Sequence, residues 1–207
     1  MEDIPLISNT DKNNVVQTER RYVSELNVFV NSQDNDNPIL IGGNKIKTRV
    51  LYPAEYIKLR NSATLRYKAI LDVLLCSGLR YVEAQFVQKN PTTCDLKRKV
   101  IHLPAGVEKK KKQVFKQRYI RISDYCLMQL PLFFKGNKLP RKSTWNRNLI
   151  RWAKKAGINP VSISSKTTRK TWESWLMFYF PNRQLQILLN QGHTQEVSIN
   201  HYFLRLK

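Results

Sequence analysis

A short strand-like interval set inside an otherwise helical chain most constrains this fold. Residues 99–103 (Lys-Val-Ile-His-Leu) and 118–122 (Arg-Tyr-Ile-Arg-Ile) are brief, β-branched or aromatic, and partly alternating, which suits two antiparallel strands. On either side the apolar residues recur three to four positions apart. One helix is expected over roughly 53–61, with Pro53 in its first turn, and a second from about Ala63 to Cys76, burying Ile70, Val73, Leu74 and Leu75. Gly78 is the expected stop, and the chain restarts at once through Leu79, Arg80 and Glu83. After a Ser143-Thr144 cap, a helix carries Trp145, Leu149, Trp152, Ala153 and Ala156 and ends at Gly157. Another carries Arg169, Trp172, Trp175, Leu176 and Tyr179 before Pro181, and a shorter one carries Leu185, Leu188 and Leu189 before Gly192. The expected architecture is mainly α with a small antiparallel β-sheet.

Residues 1–47 have another texture. They begin polar and acidic, include a helix expected over Asn13 to Val30, and pass through a polar stretch at 31–38 and Gly42-Gly43, which reads as a linker. The expected organisation is an N-terminal extension and linker over 1–47, followed by one domain over 48–207. At 42% hydrophobic content the 207-residue chain has ample material for a core.

Charge narrows the partner. Lys and Arg number 36 against 15 Asp and Glu, a net +21 that exceeds what solubility needs and points to a polyanion, with nucleic acid first. Ten of the cations fall between Lys97 and Arg121, where Glu108 is the only acid, so the hairpin is expected to present a cationic face that includes Lys109, Lys110, Lys111, Lys112, Lys116 and Arg118. There is no apolar run of about twenty residues and no signal-peptide pattern, so a soluble intracellular protein without a membrane partner is expected. Cys76, Cys94 and Cys126 lie far apart with no C-x-x-C pair, which argues against both a zinc site and a disulfide framework.

The chemistry gathers late in the chain, at Lys166-x-x-Arg169, Gly192-His193 and Tyr202. Cleaving a phosphodiester without a metal needs a nucleophile, donors to the two non-bridging oxygens, and an acid for the leaving 5′ oxygen. Arginine suits the second need because its planar fork donates two bonds and stays charged. Lysine or histidine suits the third. A tyrosine phenol suits the first, since its phosphotyrosine ester stores the bond for a later DNA hydroxyl. Singly, each piece has a plainer reading: Arg80 as a surface cap, the lysines as a solvated loop, His193 as a turn residue, Tyr202 as an aromatic anchor, and the four tryptophans as core. Lys166 and Arg169 at a helix start oppose the macrodipole, which favours a compensating anion there.

Taken together, Ser77-Gly78-Leu79-Arg80-x-x-Glu83, the Lys-rich turn, Lys166-x-x-Arg169-x-Thr171, Gln191-Gly192-His193 and Tyr202 make the chain resemble the tyrosine recombinases over about its last 155 to 160 residues. The nine-residue step from His193 to Tyr202 is the usual one in that family. The resemblance implies a tyrosine recombinase catalytic domain over 48–207, in which Arg80 and Arg169 grip the scissile phosphate and Tyr202 forms a 3′-phosphotyrosyl link. It implies that a hairpin lysine, Lys111 or a neighbour within a residue or two in the run, or alternatively Lys116, protonates the leaving oxygen, that His193 hydrogen-bonds the phosphate or assists proton movement, and that Glu83 braces the arginine helix. It also implies double-stranded DNA attachment sites as partner, a tetramer on DNA, and no metal or nucleotide cofactor. Lys166 stands where the family's motif has histidine, an exchange found among integrases of archaeal viruses and plasmids. Two alternatives stay open: a type IB topoisomerase-like nicking and closing enzyme, and a catalytically silent DNA-binding protein. His102, in a predicted strand, has no role in the motif.

Overall fold

Pro53 opens the first helix, where a missing backbone N–H is no loss because helix-start donors have no partner inside the helix. The computed structural model describes residues 48–107, 117–136, 138–183 and 187. Six α-helices are seen among them: α1 (Pro53–Asn61), α2 (Leu65–Ser77), α3 (Tyr81–Lys89), α4 (Asp124–Phe134), α5 (Lys142–Lys155) and α6 (Thr167–Tyr179). A three-stranded antiparallel sheet, in the order β1 (Cys94–Asp95), β2 (Val100–Leu103) and β3 (Arg118–Arg121), lies between α3 and α4 in the chain. The mainly helical architecture with one small antiparallel sheet is therefore present. The helix expected over Asn13 to Val30, the linker and the boundary near residue 47 lie outside the described residues. So does the short helix around Leu185 to Leu189, apart from Ile187, which is buried.

The core forms around α2, which packs on α4 and α6. Ile70, Val73, Leu74 and Leu75 are all buried, as the spacing indicates. The tryptophans are core residues too. Trp145 stacks on Tyr81 at 5.1 Å between ring centroids, and Trp152 meets Tyr67 at 5.1 Å, fastening α5 to α3 and α2.

Three local details differ from the sequence reading. Helix α5 starts two to three residues earlier than a Ser143-Thr144 cap would place it: Arg141 is its cap residue, and both hydroxyl residues sit in the first turn. Its end is as expected, since Gly157 takes φ +70° and the N–H of Ile158 reaches back to the carbonyl of Ala153 at 2.9 Å. The two-residue β1 was too short to leave a period in the sequence. Helix α4 was covered by no expectation, because Pro131 lies inside it. An internal proline costs a helix about 3 kcal/mol. Burial of Leu130 and Phe133, each contributing about 1.5–3 kcal/mol, together with Cys126 and a Ser123 cap that accepts the Cys126 N–H at 3.3 Å, outweighs that cost.

A buried carboxylate ties the first helices together. Asp72 of α2 is 1% exposed and accepts from the Tyr56 hydroxyl (2.7 Å), the Arg60 Nε (2.9 Å to each oxygen) and the Tyr125 hydroxyl (3.0 Å). Thus α1, α2 and α4 share one charge.

The buried phenols and thiols make stability fall on the alkaline side. Burial first, and then the Asp72 charge, pushes the Tyr56 and Tyr125 phenols up. Burial likewise raises the Cys76 and Cys94 thiols and pushes Cys126 up to about 12. The folded state thus favours the neutral forms, and the unfolded chain releases these protons first as pH rises. Their contribution is whole below the unfolded values, about 8.5 for a thiol and about 10 for a phenol, and is lost as pH climbs from there towards the folded values. Thermal melts followed by circular dichroism are expected to hold level up to about pH 8 and to fall steadily from about pH 9 upward. A level melting temperature through about pH 11 would contradict this.

Candidate active site

The turn between α2 and α3 builds the centre of the site. Ser77 ends α2 with its hydroxyl on the carbonyl of Val73 (2.5 Å), and Gly78 then takes the left-handed conformation at φ +62°. A side chain would be strained there. Leu79 is buried, which orients Arg80 as the cap residue of α3. Three residues on, Glu83 turns its carboxylate back to accept the Arg80 N–H at 2.7 Å. This satisfies one of the helix's orphan donors and places a negative charge at the positive end of the dipole.

Glu83 then collects guanidinium groups from three elements. It is fully buried, and its Oε1 receives Arg80 Nη1 at 2.7 Å, while its Oε2 receives Arg118 Nη2 at 2.8 Å. Arg169 Nη1 stands 3.7 Å from the same Oε2. Helix α6 brings Arg169 there because it is sewn to the end of α2. The Arg169 Nη1 donates to the carbonyl of Gly78 (2.9 Å), and the Trp172 Nε1 donates to the carbonyl of Cys76 (3.1 Å), so orphan carbonyls at the helix end are used as the anchor. The other side of α6 holds the incoming chain. Thr171 Oγ1 accepts the Leu51 N–H (3.1 Å), Lys170 Nζ donates to the Thr48 carbonyl (2.7 Å), and Trp175 Nε1 donates to the Leu51 carbonyl (3.0 Å). Thr167 through Trp175 are all buried, so this stretch of α6 is enclosed rather than amphipathic, whereas Phe178 and Tyr179 at its end are exposed.

Two solved structures share this arrangement of elements. One is a XerA recombinase, at a TM-score of 0.60 and 20% identity, covering 79% of this chain and 63% of that one. The other is a Tn1549 transposon integrase in complex with circular intermediate DNA, at a TM-score of 0.59 and 14% identity, covering 78% of this chain and 62% of that one. This chain has the tyrosine recombinase catalytic-domain fold. It spans somewhat less than two thirds of the length of either of those two chains. No protein-family description matches the sequence, and no curated protein sequence matches it.

Within the tyrosine recombinase fold, Arg80 and Arg169 of the sequence motif meet at Glu83. Arg118 requires a correction of place. It was expected on the outward cationic face of the hairpin, yet its side chain is only 11% exposed and joins the carboxylate cluster. The reason is strand parity: Arg118 shares a face with Ile120, which is 1% exposed, so the side chain goes inward. The alternation of Arg118, Ile120 and Ile122 was the signal that could have located it. The outward face carries Tyr119, stacked on His102 at 4.8 Å, and Arg121.

Lys166 is brought less close. It is the cap residue of α6, its side chain is exposed, and among the described residues it makes no ion pair with the Glu83 cluster. Lys109, Lys110, Lys111, Lys112, Lys116, His193 and Tyr202 lie outside the described residues. Among the described residues there is no group of three or more His, Cys, Asp or Glu that could hold a metal ion, and no helix long and apolar enough to cross a membrane.

Burial and repulsion shape the electrostatics of the cluster. Desolvation lowers the Arg118 guanidinium from its ordinary value, the Glu83 charge pulls it back up, and Arg80 lowers it further. Arg80, with its side chain 32% exposed, marks the open side of the cluster, whereas Arg169 is 5% exposed. Such an array can receive a tetrahedral oxyanion through paired N–H donors.

Proposed function

We propose that this chain is a site-specific DNA recombinase of integrase type that cleaves and rejoins DNA through a 3′-phosphotyrosyl intermediate. The observation that carries the reading is the meeting of Arg80 and Arg169 around one buried carboxylate inside a tyrosine recombinase fold. Guanidinium donors gathered at one point are what a scissile phosphate would need. The net charge of +21 supports a duplex DNA partner held largely through phosphates, with binding that weakens as salt rises.

In this reading Arg80 and Arg169 hold the non-bridging oxygens. The Tyr202 hydroxyl attacks phosphorus as its proton passes to His193 or water, the bond from phosphorus to the 5′ oxygen breaks, and Lys111, or alternatively Lys116, gives the leaving oxygen its proton. His193 assists at the phosphate. Lys166 offers a permanent charge or a proton, and its presence in place of the family's histidine aligns the chain with integrases of archaeal viruses and plasmids. Lys109, Lys110 and Lys112 steer the duplex. Rejoining is the reverse attack by a DNA hydroxyl, so the ester energy is retained and no nucleotide cofactor is called for. Exchange between two sites takes several protomers, four in the family, acting on DNA inside the cell.

The test is a nicked duplex carrying an attachment site, incubated without divalent metal and run on a denaturing gel. Wild type is expected to give a covalent protein–DNA band, and Tyr202→Phe, which lacks the attacking oxygen, is expected to give none. Salt-sensitive binding with no band from wild type would overturn the enzyme reading in favour of a silent DNA-binding protein. A band accompanied by relaxation of supercoils without strand exchange would favour the topoisomerase-like alternative.

A further inference from the structure

We infer that Arg118 is a third phosphate-binding guanidinium of this site, supplied by the sheet beside Arg80 and Arg169; the inference rests on reading the Glu83 cluster as a phosphate site. The register decides where the side chain goes. Arg118 pairs with Leu103 and Ile120 pairs with Ile101, and Leu103, Ile101 and Ile120 are all buried, so this face of β2 and β3 is turned into the protein. A lysine-rich connection leads into β3, and Arg118 is the strand's first residue.

The contacts decide what the side chain meets. Arg118 Nη2 lies 2.8 Å from Glu83 Oε2, the oxygen that also accepts the Arg80 N–H at 2.7 Å and stands 3.7 Å from Arg169 Nη1. Arg80 Nη1 holds the other oxygen at 2.7 Å. One carboxylate therefore gathers three guanidinium groups. Arg118 and Arg80 repel one another across Glu83, and burial raises the cost of that repulsion. An oxyanion entering on the Arg80 side offsets that repulsion. Glu83 holds the Arg80 and Arg118 forks at 2.7 and 2.8 Å from its two oxygens. Lysine could not do the same work, because its single ammonium lacks the fork that can hold Glu83 and an anion together.

A merely structural Arg118 would do no more than neutralise Glu83, and the two roles separate experimentally. The full chain is melted in sodium phosphate and in sodium chloride at equal ionic strength, as wild type, Arg118→Lys, Arg118→Met and, as a charge control, Arg98→Met, whose side chain is 85% exposed. Wild type is expected to melt higher in phosphate than in chloride. Both Arg118 variants are expected to lose about half or more of that difference, and the Arg98 variant to retain it. Loss of a structural contact alone would lower melting equally in both salts and leave the difference intact. A full phosphate-specific gain in both Arg118 variants overturns the inference, as does the lack of any gain in wild type.

The nicked-duplex assay on the same proteins keeps the two readings apart. A phosphate gain that depends on Arg118, with no covalent band from wild type, removes the recombinase reading and leaves the oxyanion site. A wild-type band together with an undiminished gain in Arg118→Met removes the third guanidinium and leaves the recombinase reading.

Discussion

Asp72→Ala is expected to destabilise the protein by about 3–5 kcal/mol, the usual result of deleting one partner of a buried charge pair. For a domain of this size that lowers the melting temperature by about 6–20 °C. The size follows from what is stranded. Arg60 loses a carboxylate that meets its Nε with both oxygens at 2.9 Å, and the Tyr56 and Tyr125 hydroxyls lose their acceptor inside the core. Asp72→Asn, which retains one acceptor oxygen and nearly the same volume, should lose less, because one of the two hydroxyl bonds keeps its acceptor although the charge and the second acceptor go. Urea unfolding of the three proteins measures this. A loss below about 1 kcal/mol for the alanine variant would mean that water replaces the carboxylate and that the network does not hold α1, α2 and α4 together.

Glu83→Gln is expected to be as severe in stability, about 3–5 kcal/mol, and to damage the site besides. The amide has nearly the shape of the carboxylate, so packing is preserved, but the countercharge shared by Arg80, Arg118 and Arg169 disappears. The amide NH2 also puts a donor among donors. In addition the N–H of Arg80 is left without a charged acceptor at the start of α3, a loss of about 1 kcal/mol by itself. Phosphate should restore stability to this variant more than chloride does at the same ionic strength, since an anion supplies the missing charge and stabilises by mass action. Thermal melts in the two salts give the answer, and a variant as stable as wild type in chloride would contradict the arrangement.

Much of the scaffold was legible because its causes are local. The period of Ile70, Val73, Leu74 and Leu75 marks a helix face, Gly78 marks a left-handed turn at the end of α2, and Pro53 and Gly157 mark a beginning and an end. Helix α4 was illegible because Pro131 argues locally against it, and only burial on α2 outweighs that argument. Helix α6 misleads in the opposite sense. Its tryptophans suggest one buried face, yet Arg169, Lys170 and Glu173 are buried as well, since neighbouring elements close over this stretch.

The site divides the same way. Phosphate chemistry pointed to arginine forks, and the motifs shared with the tyrosine recombinases singled out Arg80, Glu83 and Arg169. That Arg118 belongs with them was decided by the tertiary structure. A strand's inward parity is written in its own alternation, but what lies beneath that strand is set by where α3 and the sheet come together. The sequence by itself determined most of the helices, the two longer strands and the polyanion-seeking charge, which follow from period and composition, and the candidate chemistry, which follows from its motifs and the family they resemble. The tertiary structure alone decided which cations share the buried carboxylate, since burial and distance between residues remote in the chain are properties of packing.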